Sequence, residues 1–283
     1  MKLARFDAGN GARTGVIVDS KIIDLVEVNA PYTEMEDIIH GHSDAVSKLA
    51  DFTDGMEGSL TLTEAKLLAP IKTAGKYLAI GMNYKKHQEE SIALGVKPPE
   101  HQVWFNKQTT CLNDPYGDIE SGVTDQLDYE VELGLVIGRK AKSVLRKDAL
   151  SHVFGFFVAN DVSARDWQFH SPTFMMGKSF DTHGPIGPWI VTADEIADPH
   201  NLDLKCFVND EVRQSSNTSK MLHRIEEQIE YLSTAFTLEP CDLIATATPE
   251  GVGVALNPPV FLKFGDVVRC EVESIGSIEN KVL

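Results

Sequence analysis

Along most of this chain apolar and polar positions alternate in short runs, the pattern of strands rather than of long helices. Thr14-Gly15-Val16-Ile17-Val18 and Lys21-Ile22-Ile23-Asp24-Leu25 flank Asp19-Ser20, which reads as two strands around a tight turn. Tyr32 to Phe52 has helical spacing, and Leu68-Ala69-Pro70-Ile71 closes this first stretch at a proline. A small N-terminal domain over 1–70 and a main domain over 71–283 are therefore expected. In the second part Tyr77–Ile80, Val131–Ile137, Val153–Ala159, Trp189–Val191, Leu202–Val208, Asp242–Thr246 and Val267–Val272 are strand-like runs. Gly184-Pro185-Ile186-Gly187-Pro188 reads as a turn-rich connection. One helix stands out, because Leu222, Ile225, Ile229, Leu232 and Phe236 recur at spacings of three and four. The expectation is a mainly β, α+β protein with one helix laid on a sheet.

The charge narrows the set of partners. With 42 acidic and 26 basic side chains the formal charge is −16, a field that repels nucleic-acid phosphates and anionic lipid. No run approaches the roughly 18 apolar residues of a membrane span. The start, Met1-Lys2-Leu3-Ala4-Arg5-Phe6-Asp7, lacks an apolar signal region. The four cysteines are scattered and form no CxxC pair, so a reducing cytoplasm is the expected compartment. No GxGxxG or Walker loop points to a nucleotide.

The chemistry concentrates in Asp128-Tyr129-Glu130-Val131-Glu132-Leu133. On a strand, Glu130 and Glu132 share one face about 7 Å apart. From the pair alone a solvent-facing strip is the competing reading. Leu133 to Ile137 is apolar or Gly throughout, however, so the strand is covered on both faces, where two like charges need a cation. Carboxylates suit a hard ion, Mg²⁺, Mn²⁺ or Ca²⁺, rather than zinc. Phe154 to Ala159 ends in Asn160-Asp161, which offers a third carboxylate, although such an Asp also serves as a turn or capping residue. Arg165 and Gln168 follow directly, with Arg165 suited to grip a substrate carboxylate. Lys178, flanked by Met175, Met176 and Phe180, reads as a partly buried ammonium that polarises a carbonyl or donates a proton. His87 and Glu90 lie one helical turn apart, the spacing of a carboxylate-oriented base. With nine histidines in the chain, a structural or exposed role competes for His87.

From residue 75 onward these motifs, taken in order, resemble the fumarylacetoacetate hydrolase family, in particular its small bacterial acylpyruvase-like members. The segments are Gly81-x-Asn83-Tyr84-x-x-His87, Phe105-x-Lys107, Asp128-Tyr129-Glu130-x-Glu132-Leu133, Asn160-Asp161-x-Ser163-x-Arg165-Asp166-x-Gln168, Gly177-Lys178-Ser179-Phe180-Asp181, Val208-Asn209, Thr246-x-Thr248-Pro249-x-Gly251-Val252-Gly253 and Gly265-Asp266. The resemblance implies a mixed β-roll domain behind a small N-terminal domain, usually as a homodimer. It implies Mg²⁺ or Mn²⁺ on Glu130, Glu132 and Asp161, and a water-activating His87–Glu90 pair on a lid. Tyr84, Arg165, Gln168, Thr248 and Lys178 match positions near a small keto acid substrate. The implied activity is cleavage of a C–C bond in a 2,4-diketo acid, acylpyruvate-like or derived from a sugar, to pyruvate and a carboxylic acid. Oxaloacetate-type decarboxylation and keto–enol isomerisation pass through the same enolate and stand as alternatives. Three positions depart from the family pattern. Ala247 and Cys241 stand where Gly is usual and would resist positive φ. Ala247 is thus expected to alter the pocket wall, whereas Cys241, and Asp210 after Val208-Asn209, are expected to alter only turns.

Overall fold

The computed structural model describes residues 1–9 and 11–283 and shows a mixed α/β fold dominated by strands. The main sheet runs, edge to edge, through Leu60–Thr61, Lys21–Asp24, Ala12–Val18, Lys2–Asp7, Gly184–Thr192, Val153–Asn160, Val131–Ile137, Leu243–Ala245, Tyr77–Gly81 and Val103–Lys107. Neighbours on this path are antiparallel except Leu243–Ala245 and Tyr77–Gly81, which run parallel. Leu3 pairs with Ile190, so the N-terminal strands extend the same sheet. A second sheet stacks Glu211–Asn217, Asp203–Val208, Val267–Val272 and Gly276–Lys281. One buried cluster joins the two sheets through Leu133, Leu135, Phe156, Val158, Leu204, Val268 and Ile278.

The hairpin at Asp19-Ser20 forms with both residues at positive φ, 46° and 63°, the geometry of a two-residue turn that matches strand twist. Asn209 and Asp210 make a second such turn, at 51° and 65°. Among the described residues five α-helices decorate the sheets: α1 (Met35–Thr53), α2 (Lys85–Ala93), α3 (Arg165–Gln168), α4 (Met175–Lys178) and α5 (Ile225–Ala235). Helix α1 is interrupted at His42, whose φ of 49° is not helical. Helix α5 buries Ile225, Ile229 and Leu232, whereas Leu222 and Phe236 of the predicted stripe lie outside the helix and are exposed. The Gly184–Pro188 segment differs from the turn its composition suggests, since it opens the nine-residue strand Gly184–Thr192. Its prolines are tolerated because pairing with Val153–Asn160 is irregular there, shifting register between Phe156 and Val158.

What positions the site is the pairing of the two central strands. Every residue of Val131–Ile137 and Val153–Asn160 is buried. Val131 lies opposite Asn160, and the Asp161 amide donates to the Glu130 carbonyl at 2.9 Å. The end of one strand thereby brings its acid beside the start of the next.

Candidate active site

Glu130, Glu132 and Asp161 converge, with one carboxylate oxygen from each within 4.8 Å of the others, and all three are buried. Glu130 immediately precedes its strand, and its amide is fixed by Asn160 Oδ1 at 3.0 Å. Lys178 reaches in from the end of α4, 2.7 Å from Asp161 Oδ2 and 2.8 Å from Glu130 Oε2. It is more than the partly buried ammonium expected, being only 2% exposed. Gly177 permits this approach: a Cβ there would stand 2.3 Å from the Gln168 amide nitrogen of α3. Lys107, to which the motif pattern assigns no role, holds the other carboxylate oxygen of Asp161 at 2.5 Å and donates to the His183 carbonyl at 3.0 Å. The signal was present in Val103–Lys107, where Phe105 and Lys107 are buried and Asn106 is exposed, so the lysine points inward.

Arg165 makes two side-chain hydrogen bonds and a further ion pair in the cluster, its Nη2 making no hydrogen bond among the described residues. Nε donates to Asp128 Oδ2 at 2.8 Å, Nη1 donates to Gln168 Oε1 at 3.0 Å, and Nη2 lies 2.7 Å from Glu130 Oε1. Arg165 thus pairs with the protein's own acids, with Gln168 as one of its supports, and both side chains line the cavity at this site. Asp128, absent from the expected site, also accepts from the Gly253 and Val254 amides at 2.7 and 3.0 Å. It thus ties the Val252–Ala255 loop to the cluster.

The cluster holds four acids, Asp128, Glu130, Glu132 and Asp161, against three bases, Lys107, Arg165 and Lys178. The surplus falls on Glu132. Burial, reinforced by the Asp161 and Glu130 charges, pushes its carboxyl well above the usual range. Burial also opposes ionisation of Glu130, but Lys178 and Arg165 outweigh it and hold that group down at about 2. A buried acidic group short of positive charge is the setting a hard divalent cation fits, and Glu130, Glu132 and Asp161 are its natural ligands.

The remaining residues are placed as follows. His87 Nδ1 lies 3.2 Å from Glu90 Oε2. A carboxylate only accepts, so Nδ1 carries the proton and Nε2 is left as the basic nitrogen. Helix α2 buries none of its own side chains, so polar contacts hold it: Glu90 Oε1 accepts from the Gly251 amide at 3.0 Å, and Lys86 meets Glu250 at 3.2 Å. Tyr84 does not line the cavity. It packs into the inter-sheet core at 1% exposure, just before α2, and its hydroxyl has no partner among the described residues. Thr248 does line it, but its hydroxyl donates to the Val131 carbonyl at 2.9 Å and accepts from Gln214 Nε2 at 2.8 Å, leaving no proton for a substrate. Ala247 takes the glycine-like conformation in spite of its Cβ, at φ 88°, and its amide donates to Glu132 Oε2 at 2.9 Å. Ala247 is not among the residues that line the cavity. Cys241 likewise sits at φ 70° in a turn.

All of this opens on one cavity of ≈ 220 Å³, lined among others by His87, Glu90, Glu130, Glu132, Arg165, Gln168, Lys178 and Thr248. That volume lies below the roughly 300–1,000 Å³ of drug-sized sites and suits a small metabolite. Residues 76–283 match the model of the fumarylacetoacetate (FAA) hydrolase C-terminal domain. The chain belongs to the fumarylacetoacetate hydrolase family. It is 42% identical over 280 residues to the mitochondrial oxaloacetate tautomerase FAHD2A of Bos taurus, covering 98% of this chain and 86% of that protein. Among solved structures, fumarylacetoacetate hydrolase from Exiguobacterium antarcticum superposes with a TM-score of 0.82 at 35% identity, covering 100% of this chain and 99% of that one. Maleylpyruvate hydrolase from Sphingobium sp. SYK-6, solved with manganese(II) and pyruvate, gives 0.82 at 30% identity with the same coverage. The chain is thus an enzyme of a family that includes tautomerases, hydrolases and isomerases.

Proposed function

We propose that this protein catalyses keto–enol interconversion of a small 2-oxo acid of the oxaloacetate type, with Mg²⁺ or Mn²⁺ on Glu130, Glu132 and Asp161. The observation that carries this reading is a carboxylate-oriented imidazole, His87, lining the same small cavity as a buried carboxylate cluster short of positive charge. Moving one proton between C3 and the 2-oxo oxygen needs a base, which His87 provides, and an electrophile, which a cation held by Glu130, Glu132 and Asp161 would supply. Similarity to the oxaloacetate tautomerases over 98% of the chain favours this reaction over C–C hydrolysis.

In this mechanism His87 Nε2 takes the proton from C3, and Glu90 stabilises the imidazolium that results. The bound cation supplies Lewis-acid polarisation of the 2-oxo oxygen. Lys178 and Lys107 hold Asp161, and Arg165 holds Glu130, so these acids do not reorganise as charge develops. The apolar wall of the cavity excludes bulk water and strengthens each of these electrostatic contacts. Four acids, three bases, a divalent cation and one substrate carboxylate together make a neutral site, which fits a 2-oxo acid bound through its C1 carboxylate. The homodimer and the small keto acid ligand implied by the family resemblance belong to the same proposal.

Hydrolysis of a diketo acid is the second reading, favoured by the maleylpyruvate hydrolase likeness. The test is a panel with Mn²⁺ and with EDTA: decay of enol-oxaloacetate absorbance on one side, pyruvate release from acylpyruvates and maleylpyruvate on the other. Tautomerisation without pyruvate release is expected. Rapid pyruvate release from a diketo acid, with enol-oxaloacetate decaying at the buffer rate, would make the protein a hydrolase.

A further inference from the structure

Helix α2 carries His87 and Glu90, yet it buries none of its own side chains. Its leading end is secured by Tyr84, which lies in the inter-sheet core and pairs with Met221 in a β-bridge. Past Tyr84, two polar side-chain ties join α2 to the rest of the described residues. Lys86 meets Glu250 at 3.2 Å, but the lysine is 73% exposed and a surface pair of this kind contributes little. Glu90 Oε1 accepts from the Gly251 amide at 3.0 Å, and this tie fixes the carboxylate that orients His87. Where Gly251 lies therefore decides where the pair lies.

A glycine amide can hold a carboxylate in place only if its own peptide is held. Gly251 stands at φ 99°, and a Cβ there would lie 2.2 Å from the Arg213 carbonyl, so the close approach requires the least restrained residue type. The restraint comes from residues 128–133, along which the segment 246–254 runs in reverse order. Thr246 Oγ1 donates to the Leu133 carbonyl at 2.8 Å, the Ala247 amide to Glu132 Oε2 at 2.9 Å and Thr248 Oγ1 to the Val131 carbonyl at 2.9 Å. Farther on, the Gly253 and Val254 amides donate to Asp128. At Gly251 itself the partner is Tyr129, whose hydroxyl donates to the Gly251 carbonyl at 3.1 Å. Tyr129 is 2% exposed, its ring belongs to the inter-sheet core, and it does not line the cavity.

We infer that Tyr129 is a positioning residue for the His87–Glu90 pair. Its ring is fixed in the core, its hydroxyl fixes the Gly251 carbonyl, the Gly251 amide fixes Glu90, and Glu90 orients His87. Tyr129 directly precedes Glu130, so one short stretch of chain places the proton acceptor and two of the candidate cation ligands relative to each other. The hold through Gly251 is the same whichever reaction the pair serves. Its effect on rate rests on the reading of His87 as the base that takes the C3 proton.

Tyr129→Phe removes the hydroxyl and keeps the ring, so the core packing is preserved. Two readouts on the Mg²⁺-loaded protein test the inference. In NMR of ¹⁵N-glycine-labelled protein, the Gly251 amide proton of Tyr129→Phe should move upfield and exchange with solvent faster than in wild type. In tautomerisation of enol-oxaloacetate, kcat should fall by about 2–12-fold, the worth of one hydrogen bond, with KM unchanged. Added to Glu90→Ala, the same substitution should cost nothing further, because the path to His87 is already cut. A Gly251 amide that stays in place, an equal loss of kcat with and without Glu90, or a change confined to KM overturns the inference. Should enol-oxaloacetate decay at the buffer rate while the Gly251 amide responds to Tyr129→Phe, the hold on Glu90 stands and the tautomerase reading falls.

Discussion

Replacing Lys107 with Met keeps an unbranched stem and removes the ammonium that lies against Asp161. Lys107 and Asp161 are both wholly buried and 2.5 Å apart. Removing one partner of a buried ion pair typically costs about 3–5 kcal/mol, since the other charge is left uncompensated. Lys178 keeps its 2.7 Å contact with Asp161, so the lower end of that range, about 3 kcal/mol, is expected for the metal-free variant. At roughly 2–4 °C per kcal/mol for a chain of this order of size, Tm should drop by about 6–12 °C in EDTA. A cation on Glu130, Glu132 and Asp161 supplies the missing charge. Binding to the folded state alone adds about 2.7 kcal/mol at a hundred times Kd. Because the variant's cluster is more acidic, its Mn²⁺-induced rise in Tm should exceed that of wild type. Scanning calorimetry of both proteins, in EDTA and in saturating Mn²⁺, measures all four values. A variant that melts with wild type in EDTA would show that Lys107 does not compensate Asp161. Equal Mn²⁺ shifts in the two proteins would move the cation away from Asp161.

Further outcomes follow from the same geometry. His87→Ala should slow tautomerisation by about 10²–10⁴, the usual worth of a general base, and Glu90→Gln should do so more mildly; wild-type steady-state rates for His87→Ala would make Lys178 the next base to examine. Glu132→Gln should cut Mn²⁺ affinity at least about tenfold in calorimetry while the fold melts near the wild-type temperature, and an unchanged titration would remove Glu132 from the ligand set. Gly251→Ala forces a Cβ to 2.2 Å from the Arg213 carbonyl at φ 99°, so it should cost at least about 1–2 kcal/mol and release the Glu90 anchor. Its kcat should therefore fall toward that of Glu90→Gln, and a stable variant with full activity would show that the anchor is dispensable.

How much of this was legible in the sequence depended on whether a signal was local. Val131–Ile137 declared itself as a central strand because it is apolar on both faces, and the Glu130/Glu132 pair on such a strand required a cation. The pairing that delivers Asp161 is long-range, so sequence could only nominate that residue. Arg165 is nominated by residue type, and Gln168 and Thr248 only by the family resemblance. Their hydrogen bonds to Asp128, to each other and to the Val131 carbonyl, and the ion pair of Arg165 with Glu130, are tertiary facts that no spacing encodes. The core position of Tyr84 is equally illegible, because a tyrosine beside a catalytic segment serves as well in the core. Gly184–Pro188 was misread because proline marks a turn and a strand irregularity alike. Ala247 shows the reverse limit: residue type argued against positive φ, and the surrounding bonds from Thr246, Ala247 and Thr248 to the Leu133–Glu132–Val131 strand impose it.

The central claim is that His87 removes a proton from C3 of a 2-oxo acid beside a cation-loaded carboxylate cluster. Hydrogen–deuterium exchange at C3, followed by NMR in D₂O, observes that step whatever becomes of the substrate afterwards. The account predicts exchange well above the buffer rate with Mg²⁺ or Mn²⁺, lost in EDTA and reduced by about 10²–10⁴ in His87→Ala. Exchange at the buffer rate in the metal-loaded wild-type protein, or exchange indifferent to His87, would contradict it.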